Sequence, residues 1–342
     1  MGVFENETEV FIQSVEHASA ALEAFPTIND QFDFRNQTML EILNTRQFDL
    51  NKLSAVVGRG GLLPPVHAGG YVVNQAMKEL ILAGNLSPHA ANLGALLADA
   101  IAGPLGIPAF IYDAVSADEM VDIARITGFP EIQRKSLCHV LNSKAMGRKY
   151  AKEMGTSYTE LNLVIAHLGG GISISAHQKG RIIDVISDDT GPFSPERSGS
   201  VPLFPLVDLI YDRHYQKTEL LKKIRGQGGL KGHLGTGDIR EIEKRILAGD
   251  DKAKQVYEAQ AYQIAKGVGE IAVVLKGEID GIILTGGMAY SEKLTSIIKE
   301  YIAFLAPVKC LPGENEMEAL ALGGLRLLRG AESPHLFSYS NH

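Results

Sequence analysis

Leu161-Asn-Leu-Val-Ile-Ala-His-Leu168-Gly-Gly-Gly-Ile172-Ser-Ile-Ser-Ala176-His-Gln-Lys-Gly180-Arg181-Ile-Ile-Asp-Val-Ile186 holds three apolar runs separated by two glycine-bearing turns. Short apolar runs punctuated in this way predict a meander, with strands over 161–168, 172–176 and 181–186. Working outward, helical and strand patterns alternate through the chain, which argues for an α/β fold rather than a bundle or a sandwich. Near the start, Val3-Phe4, the polar Glu5 to Thr8 turn and Glu9 to Val15 repeat the second and third strands of that meander, a weak internal repeat that points to a duplicated domain.

Two further strands are expected over Leu53–Val57 and Ala109–Tyr112, followed by Gly58-Arg59-Gly60-Gly61 and by Asp113. Open α/β sheets bind ligands beyond the carboxyl ends of such strands. Between them, Ser87-Pro88 predicts a helix start with His89 in its first turn and Leu93, Leu96, Leu97, Ala100 and Ile101 on one face. Tyr257, Ala261, Ile264, Val268, Ile271 and Leu275 recur at spacings of four and three and predict a long buried helix.

A length of 342 residues with 45% hydrophobic side chains exceeds a typical single domain, so two domains are expected. Lys plus Arg number 33 against 40 Asp plus Glu, a net charge of -7, which excludes a broad basic surface for nucleic acid or anionic lipid. Two cysteines, Cys138 and Cys310, are too few for a disulfide framework and suit the cytoplasm. The start has no signal-peptide pattern, and the apolar stretch Ala100–Tyr112 is broken by Pro104 and Pro108. Walker A, dinucleotide, zinc-protease and nucleophile-elbow motifs are all missing from the sequence.

Gly169-Gly170-Gly171 lets backbone amides approach an oxyanion, although the same triplet serves equally well in an ordinary hairpin. His167 and Ser173 flank it with a proton-bearing ring and a hydroxyl. Downstream, Asp188-Asp-Thr-Gly-Pro-Phe-Ser-Pro-Glu-Arg-Ser-Gly-Ser200 presents one arginine, Arg197, and Arg59 sits among glycines; each could clamp an anion or form a surface ion pair. Gly226–Gly237 leads into Asp238-Ile-Arg240, and Ile282-Ile-Leu-Thr-Gly286-Gly287 is a strand ending in a glycine pair; either region could be a connector or a place for a flat nucleoside.

In order and spacing, this series resembles the acetate and butyrate kinase family, part of the acetate kinase, sugar kinase, Hsp70 and actin superfamily. Ala166-His-Leu-Gly-Gly-Gly-Ile-Ser173 resembles its second phosphate motif, Asp189-Thr-Gly-Pro-Phe-Ser-Pro-Glu-Arg-Ser-Gly199 its substrate loop, and Leu284-Thr-Gly-Gly-Met-Ala289 its adenosine motif. The resemblance runs to about Arg329 and implies two duplicated RNase H-like domains, 1–116 plus 317–342 and 117–316, with a cleft between them. It also implies ATP-dependent phosphorylation of a short-chain carboxylate, butanoate first and acetate, propionate or branched acids as alternatives, by direct in-line transfer. Arg59 and Arg197 would then bind carboxylate and phosphoryl group, Asp113 would hold Arg59, and His167 and His89 would line the site. Gly169, Gly170, Gly171, Asp238, Arg240, Gly286 and Gly287 would contact ATP or ADP, and Glu316, or its neighbours Glu314 and Glu318, would serve Mg2+. Small residues at Gly61 and Ala166 are expected to leave room for a longer acyl chain, and a homo-oligomer is expected.

One departure stands out. Relatives carry a first strand and an Asn-Pro-Gly-Ser-Thr-Ser-Thr-Lys turn ahead of the segment resembling Gly2-Val-Phe-Glu-Asn6, and these 342 residues do not include it. The expectation is weaker turnover than in a version with that strand restored, and a nucleotide-binding relative without catalysis is the alternative of another class.

Overall fold

A computed structural model describes residues 1–338. The strands are β1 (Gly2–Glu5), β2 (Thr8–Ile12), β3 (Val56–Arg59), β4 (Gly70–Val72), β5 (Ala109–Tyr112), β6 (Asn162–Leu168), β7 (Ile172–Gln178), β8 (Arg181–Ile186), β9 (Gly281–Gly286), β10 (Val308–Pro312) and β11 (His335–Leu336). The helices that frame them are α1 (Phe32–Thr45), α2 (Gly94–Ala102), α3 (Val140–Glu153), α4 (Leu203–Arg213), α5 (Ile239–Leu247), α6 (Asp251–Val274), α7 (Glu292–Ile302) and α8 (Glu316–Leu328). The chain divides into two compact units, Met1–Asp118 with Asn315–His342, and Glu119–Glu314.

The Glu119–Glu314 unit is built on a five-stranded sheet in the order β10-β9-β6-β7-β8. The expected meander is there, β6, β7 and β8 pairing antiparallel in turn, while β9 and β10 join as parallel strands on the other side of β6. Side chains alternate between the two faces of a strand, and both faces are covered, so β6 is buried along its whole length. Val164, Ala166 and Leu168 join Ile174, Leu284 and the stripe Tyr257, Ala261, Ile264 and Val268 of α6 in the larger core. Leu163 and Ile165 face the other way and pack with Met146 and Tyr150 of α3. Each fully buried aliphatic side chain of this kind contributes about 1.5–3 kcal/mol.

In the other unit, a four-stranded sheet in the order β11-β4-β5-β3 carries parallel β3 and β5, and β1 and β2 form a separate antiparallel hairpin. The hairpin bears out the strands expected around Val3 and Val10. The strand expected from Leu53 starts later, at Val56, because Asp49 caps a short 3-10 turn over Leu50–Lys52; Gly58 and Arg59 are strand residues paired with Ile111 and Tyr112. The helix expected from Ser87 is likewise shorter. A 3-10 turn over Ala90–Leu93 precedes α2, and His89 stands before it as the cap, its Nδ1 accepting from the Ala91 amide at 3.1 Å. Between α2 and β5, the apolar stretch resolves into a short turn at Gly103–Leu105, and among the described residues no helix is long and apolar enough to cross a membrane.

His177, at the end of β7, is fully buried between the Tyr158 hydroxyl at 2.6 Å and the Ser175 hydroxyl at 2.8 Å. Burial first, then the charges of Lys144 and Arg148, hold its pKa well below the ordinary histidine range. The folded protein therefore refuses a proton that the unfolded chain accepts below about pH 6.5. The resulting stability is complete above that pH and is lost on acidification, by at most about 1.4 kcal/mol per pH unit. Urea midpoints measured from pH 7 to pH 5 should fall for the wild type and fall less steeply for His177→Gln; parallel curves would show that other groups set the slope.

Candidate active site

The carboxyl ends of β6 and β9 carry the polar end of the face that α3 covers. Along β6 that face reads Leu163, Ile165, His167, and the cross-strand partners of His167 are Ser173 and Thr285. His167 is buried and its Nδ1 lies 2.9 Å from Oδ1 of Asn142. The ring of His139, the residue that caps α3, stacks on it at 3.8 Å between centroids and 10° between planes.

Beyond β6, the triple-glycine turn closes with the Gly169 amide donating to the Gly171 carbonyl. A Cβ on Gly171 would lie 2.4 Å from Nη1 of Arg197, so only glycine lets the guanidinium rest on the turn. The Ser194 hydroxyl donates to the Gly170 carbonyl at 2.6 Å, and the Ser194 hydroxyl oxygen accepts from the Arg197 amide. The loop expected to present Arg197 is thereby tied to the turn that follows His167. Asp188 pairs with Arg197 and, at 3.1 Å, with Arg225.

Gly286 ends β9 with φ +86, and a Cβ there would lie 2.4 Å from the Leu168 carbonyl oxygen. Gly287 begins a 3-10 turn over Gly287–Tyr290. Asp238 caps α5 and forms a two-atom fork with Arg240 at 3.0 and 2.8 Å; those hydrogen bonds hold the exposed carboxyl down at about 2. Glu243 of α5 accepts from the hydroxyls of Tyr257 and Ser291, the latter just after the Gly287–Tyr290 turn, and so links the two segments.

In the other unit, Arg59 ends β3 and its guanidinium pairs with both carboxylate oxygens of Glu316, at 3.0 and 3.1 Å. Asp113 follows β5, in a left-handed conformation with φ +43, and its Oδ1 accepts from the Gly69 amide at 2.8 Å. His89 is pushed below the ordinary histidine range by partial burial and then by the charge of Arg59, which places those two groups in one electrostatic neighbourhood. The structure thus groups Arg59, His89 and Glu316 in one unit, and His167, Gly169, Gly170, Gly171 and Arg197 in the other.

Ala166 points to the α6 face of the sheet, away from His167, so the expectation that it leaves room beside that histidine is corrected. A Cβ on Gly61 would lie 2.3 Å from Oδ1 of Asn92. His139, Asn142, Asp188 and Glu243 escaped the sequence reading; the spacing of three between His139 and Asn142 at a helix start was the one available signal.

Glycine amides and an arginine around a buried histidine, at the carboxyl ends of parallel strands, define an α/β protein of the phosphate-handling class. The acetokinase family model matches residues 133–309. The chain is 47% identical over 334 residues to butyrate kinase 2 of Clostridium acetobutylicum, covering 97% of this chain and 94% of that protein. It is 44% identical over 339 residues to a probable butyrate kinase of Clostridium botulinum, covering 98% and 96%. The chain belongs to the acetokinase family. Among solved structures, the acetate kinase of Porphyromonas gingivalis matches with a TM-score of 0.74 at 20% identity, covering 84% of this chain and 82% of that one. A propionate kinase of Francisella tularensis matches with a TM-score of 0.68 at 21% identity, covering 84% and 82%. These likenesses bear out the expected α/β fold.

The glycine turn makes a paired test. Gly171→Ala should push Arg197 off the turn and weaken binding of inorganic phosphate at least tenfold by calorimetry. Gly170→Ala, where an added Cβ meets nothing within 4 Å, should weaken it much less. Equal losses in the two variants would remove Arg197 from the explanation.

Proposed function

We propose that this chain phosphorylates a short-chain carboxylic acid with ATP, butanoate plus ATP giving butanoyl phosphate plus ADP. The observation that carries the reading is the cradle in which Arg197 rests on Gly171 beside His167. A carboxylate is already a nucleophile at neutral pH and needs no general base, whereas phosphoryl transfer needs alignment and positive charge around the moving group. The residues supply that charge. Arg59 takes the acid's carboxylate, Arg197 and His167 take the phosphoryl oxygens, the amides of Gly169, Gly170 and Gly171 take phosphate, and His89 stays neutral as a lining group. Asp113 orders the backbone beside Arg59 through Gly69. Asp238, Arg240, Gly286 and Gly287 contact the nucleotide.

An oxygen of the acid bonds to the terminal phosphorus as the bridging oxygen of ATP departs with the electron pair, leaving ADP. A Mg2+ ion carried by the nucleotide would supply charge to neutralise its phosphates. Such an ion uses one or two protein carboxylates together with phosphate and water oxygens. Glu316 fits that role, and among the described residues no group of three or more His, Cys, Asp and Glu converges as a metal cage would require. Butanoate is favoured because the relatives at 44–47% identity are named butyrate kinases; comparing acids of two to five carbons under one set of conditions tests it. The reaction belongs in the cytoplasm, consistent with two free cysteines.

Arg59→Ala and Arg197→Ala should each lower turnover in a hydroxamate assay by two or more orders of magnitude, as expected when a charge-assisted contact to the transferring group is lost. Near-normal rates would refute the assigned roles.

Self-association is part of the same reading. No residue of α4 is buried, and Leu203, Phe204, Val207 and Tyr211 stand exposed at helical spacings of three and four, an apolar patch suited to a second copy of this chain. Sedimentation velocity should show an oligomer that Phe204→Glu with Val207→Glu dissociates; an unchanged sedimentation coefficient would move the interface elsewhere.

A further inference from the structure

We propose that Asn142 is a positioning residue for phosphoryl transfer: it fixes which nitrogen of His167 carries the obligatory proton and thereby aims the other nitrogen at the glycine turn. The proposal rests on the functional reading above for its catalytic consequence, but its geometric core stands on its own.

The orientation of the Asn142 amide is dictated by its neighbours. Two backbone carbonyls, those of Gly313 at 3.2 Å and Glu314 at 2.6 Å, lie against Nδ2, and carbonyls can only accept. The amide oxygen therefore faces Nδ1 of His167 at 2.9 Å and the Thr285 hydroxyl at 3.3 Å. An amide oxygen can only accept, so Nδ1 of His167 must carry a hydrogen. A second proton then has one place to go, Nε2. That atom lies 3.0 Å from where a Cβ on Gly169 would be, so it is directed at the turn. An oxyanion held there accepts a hydrogen bond from His167 only when Nε2 is protonated.

The surrounding groups favour placing that proton on His167. Titratable and charged neighbours include His139 on α3, stacked on the ring, and Arg197 with Asp188 at the glycine turn; the facing residues of β7 and β9, Ser173 and Thr285, are uncharged. Two stacked imidazolium rings repel, and His139 caps α3, where the positive end of the helix dipole opposes a charge. The Nδ1 partner of His167 is an amide oxygen, which can only accept, whereas that of His139 is the Ser173 hydroxyl at 2.8 Å, which can donate as well, and an incoming phosphoryl group adds negative charge beside His167.

The test uses the full chain with 15N-labelled imidazoles and no ligand. His167 should show the Nδ1–H tautomer when neutral, identified by the resonances lost in His167→Gln. Asn142→Ala should release the tautomer and lower kcat about ten- to a hundredfold, as losses of histidine-orienting partners do, with little change in KM for ATP. Asn142→Asp keeps an acceptor on Nδ1 and adds negative charge, so His167 should lose its second proton at higher pH. The basic limb of the kcat profile should move up with it. A wild-type His167 with its neutral proton on Nε2 would overturn the proposal. So would an Asn142→Ala enzyme with the wild-type tautomer and pH profile and only a lower melting temperature. If no variant and no wild type transfers phosphate to any acid, the functional reading fails while the tautomer measurement still decides the role of Asn142.

Discussion

The parity of β6 governs the Glu119–Glu314 unit. Hydrogen-bonded on one side to β7 and on the other to β9, this strand cannot slip by one residue without turning every side chain to the opposite face. Val164, Ala166 and Leu168 are committed to the α6 side, and that commitment sends Leu163, Ile165 and His167 to α3. A buried histidine at the carboxyl end of the strand is thus a consequence of the apolar register before it. Sheet and helix then converge on it: Ser173 and Thr285 arrive by register, and His139 and Asn142 by the first turn of α3. Moving any one of them means unpairing a strand or unpacking a helix.

The second organising feature is that the arginines are held by carboxylates. Arg197 pairs with Asp188, Arg59 with Glu316, and Arg240 with Asp238. These pairs differ in kind. Asp188 is 10% exposed and is shared by Arg197 and Arg225, whereas Arg240 is 86% exposed and its pair with Asp238 lies in water. A pair in water is screened and gains little, less than a hydrogen bond to a charged group held away from solvent. Under the proposed roles, an incoming phosphate would draw Arg240 away from Asp238 at little cost, while Arg197 would keep Asp188 and add the anion as a further partner.

Much of this was legible in the sequence because local patterns carried it. The meander over 161–186 announced itself through apolar runs and glycines, and the stripe from Tyr257 to Ile271 through its spacing. The failures were of two kinds. The strand start at Val56 and the place of His89 were set by short capped 3-10 turns, local features that apolar periodicity does not mark. Asn142 had only its spacing of three from His139 and Glu243 no signal at all, because what distinguishes them is the carbonyls and hydroxyls that segments distant in sequence bring to them.

The same distinction bears on acyl-chain length. Small residues beside a substrate arginine and a phosphate histidine invite the inference of a roomier pocket, yet adjacency along a strand is the wrong kind of neighbourhood. The residue before His167 lies across the sheet from it, in the core that α6 covers. Groups that share a face with His167 come from i±2 on β6, from register on β7 and β9, and from the first turn of α3. Around Arg59 they come from β5 and from the start of α8 in the same way. Under the proposed function, walls that discriminate two carbons from four, at about 0.8 kcal/mol per buried methylene, would come from residues that share a face with the reacting groups and not from the residue next along a strand.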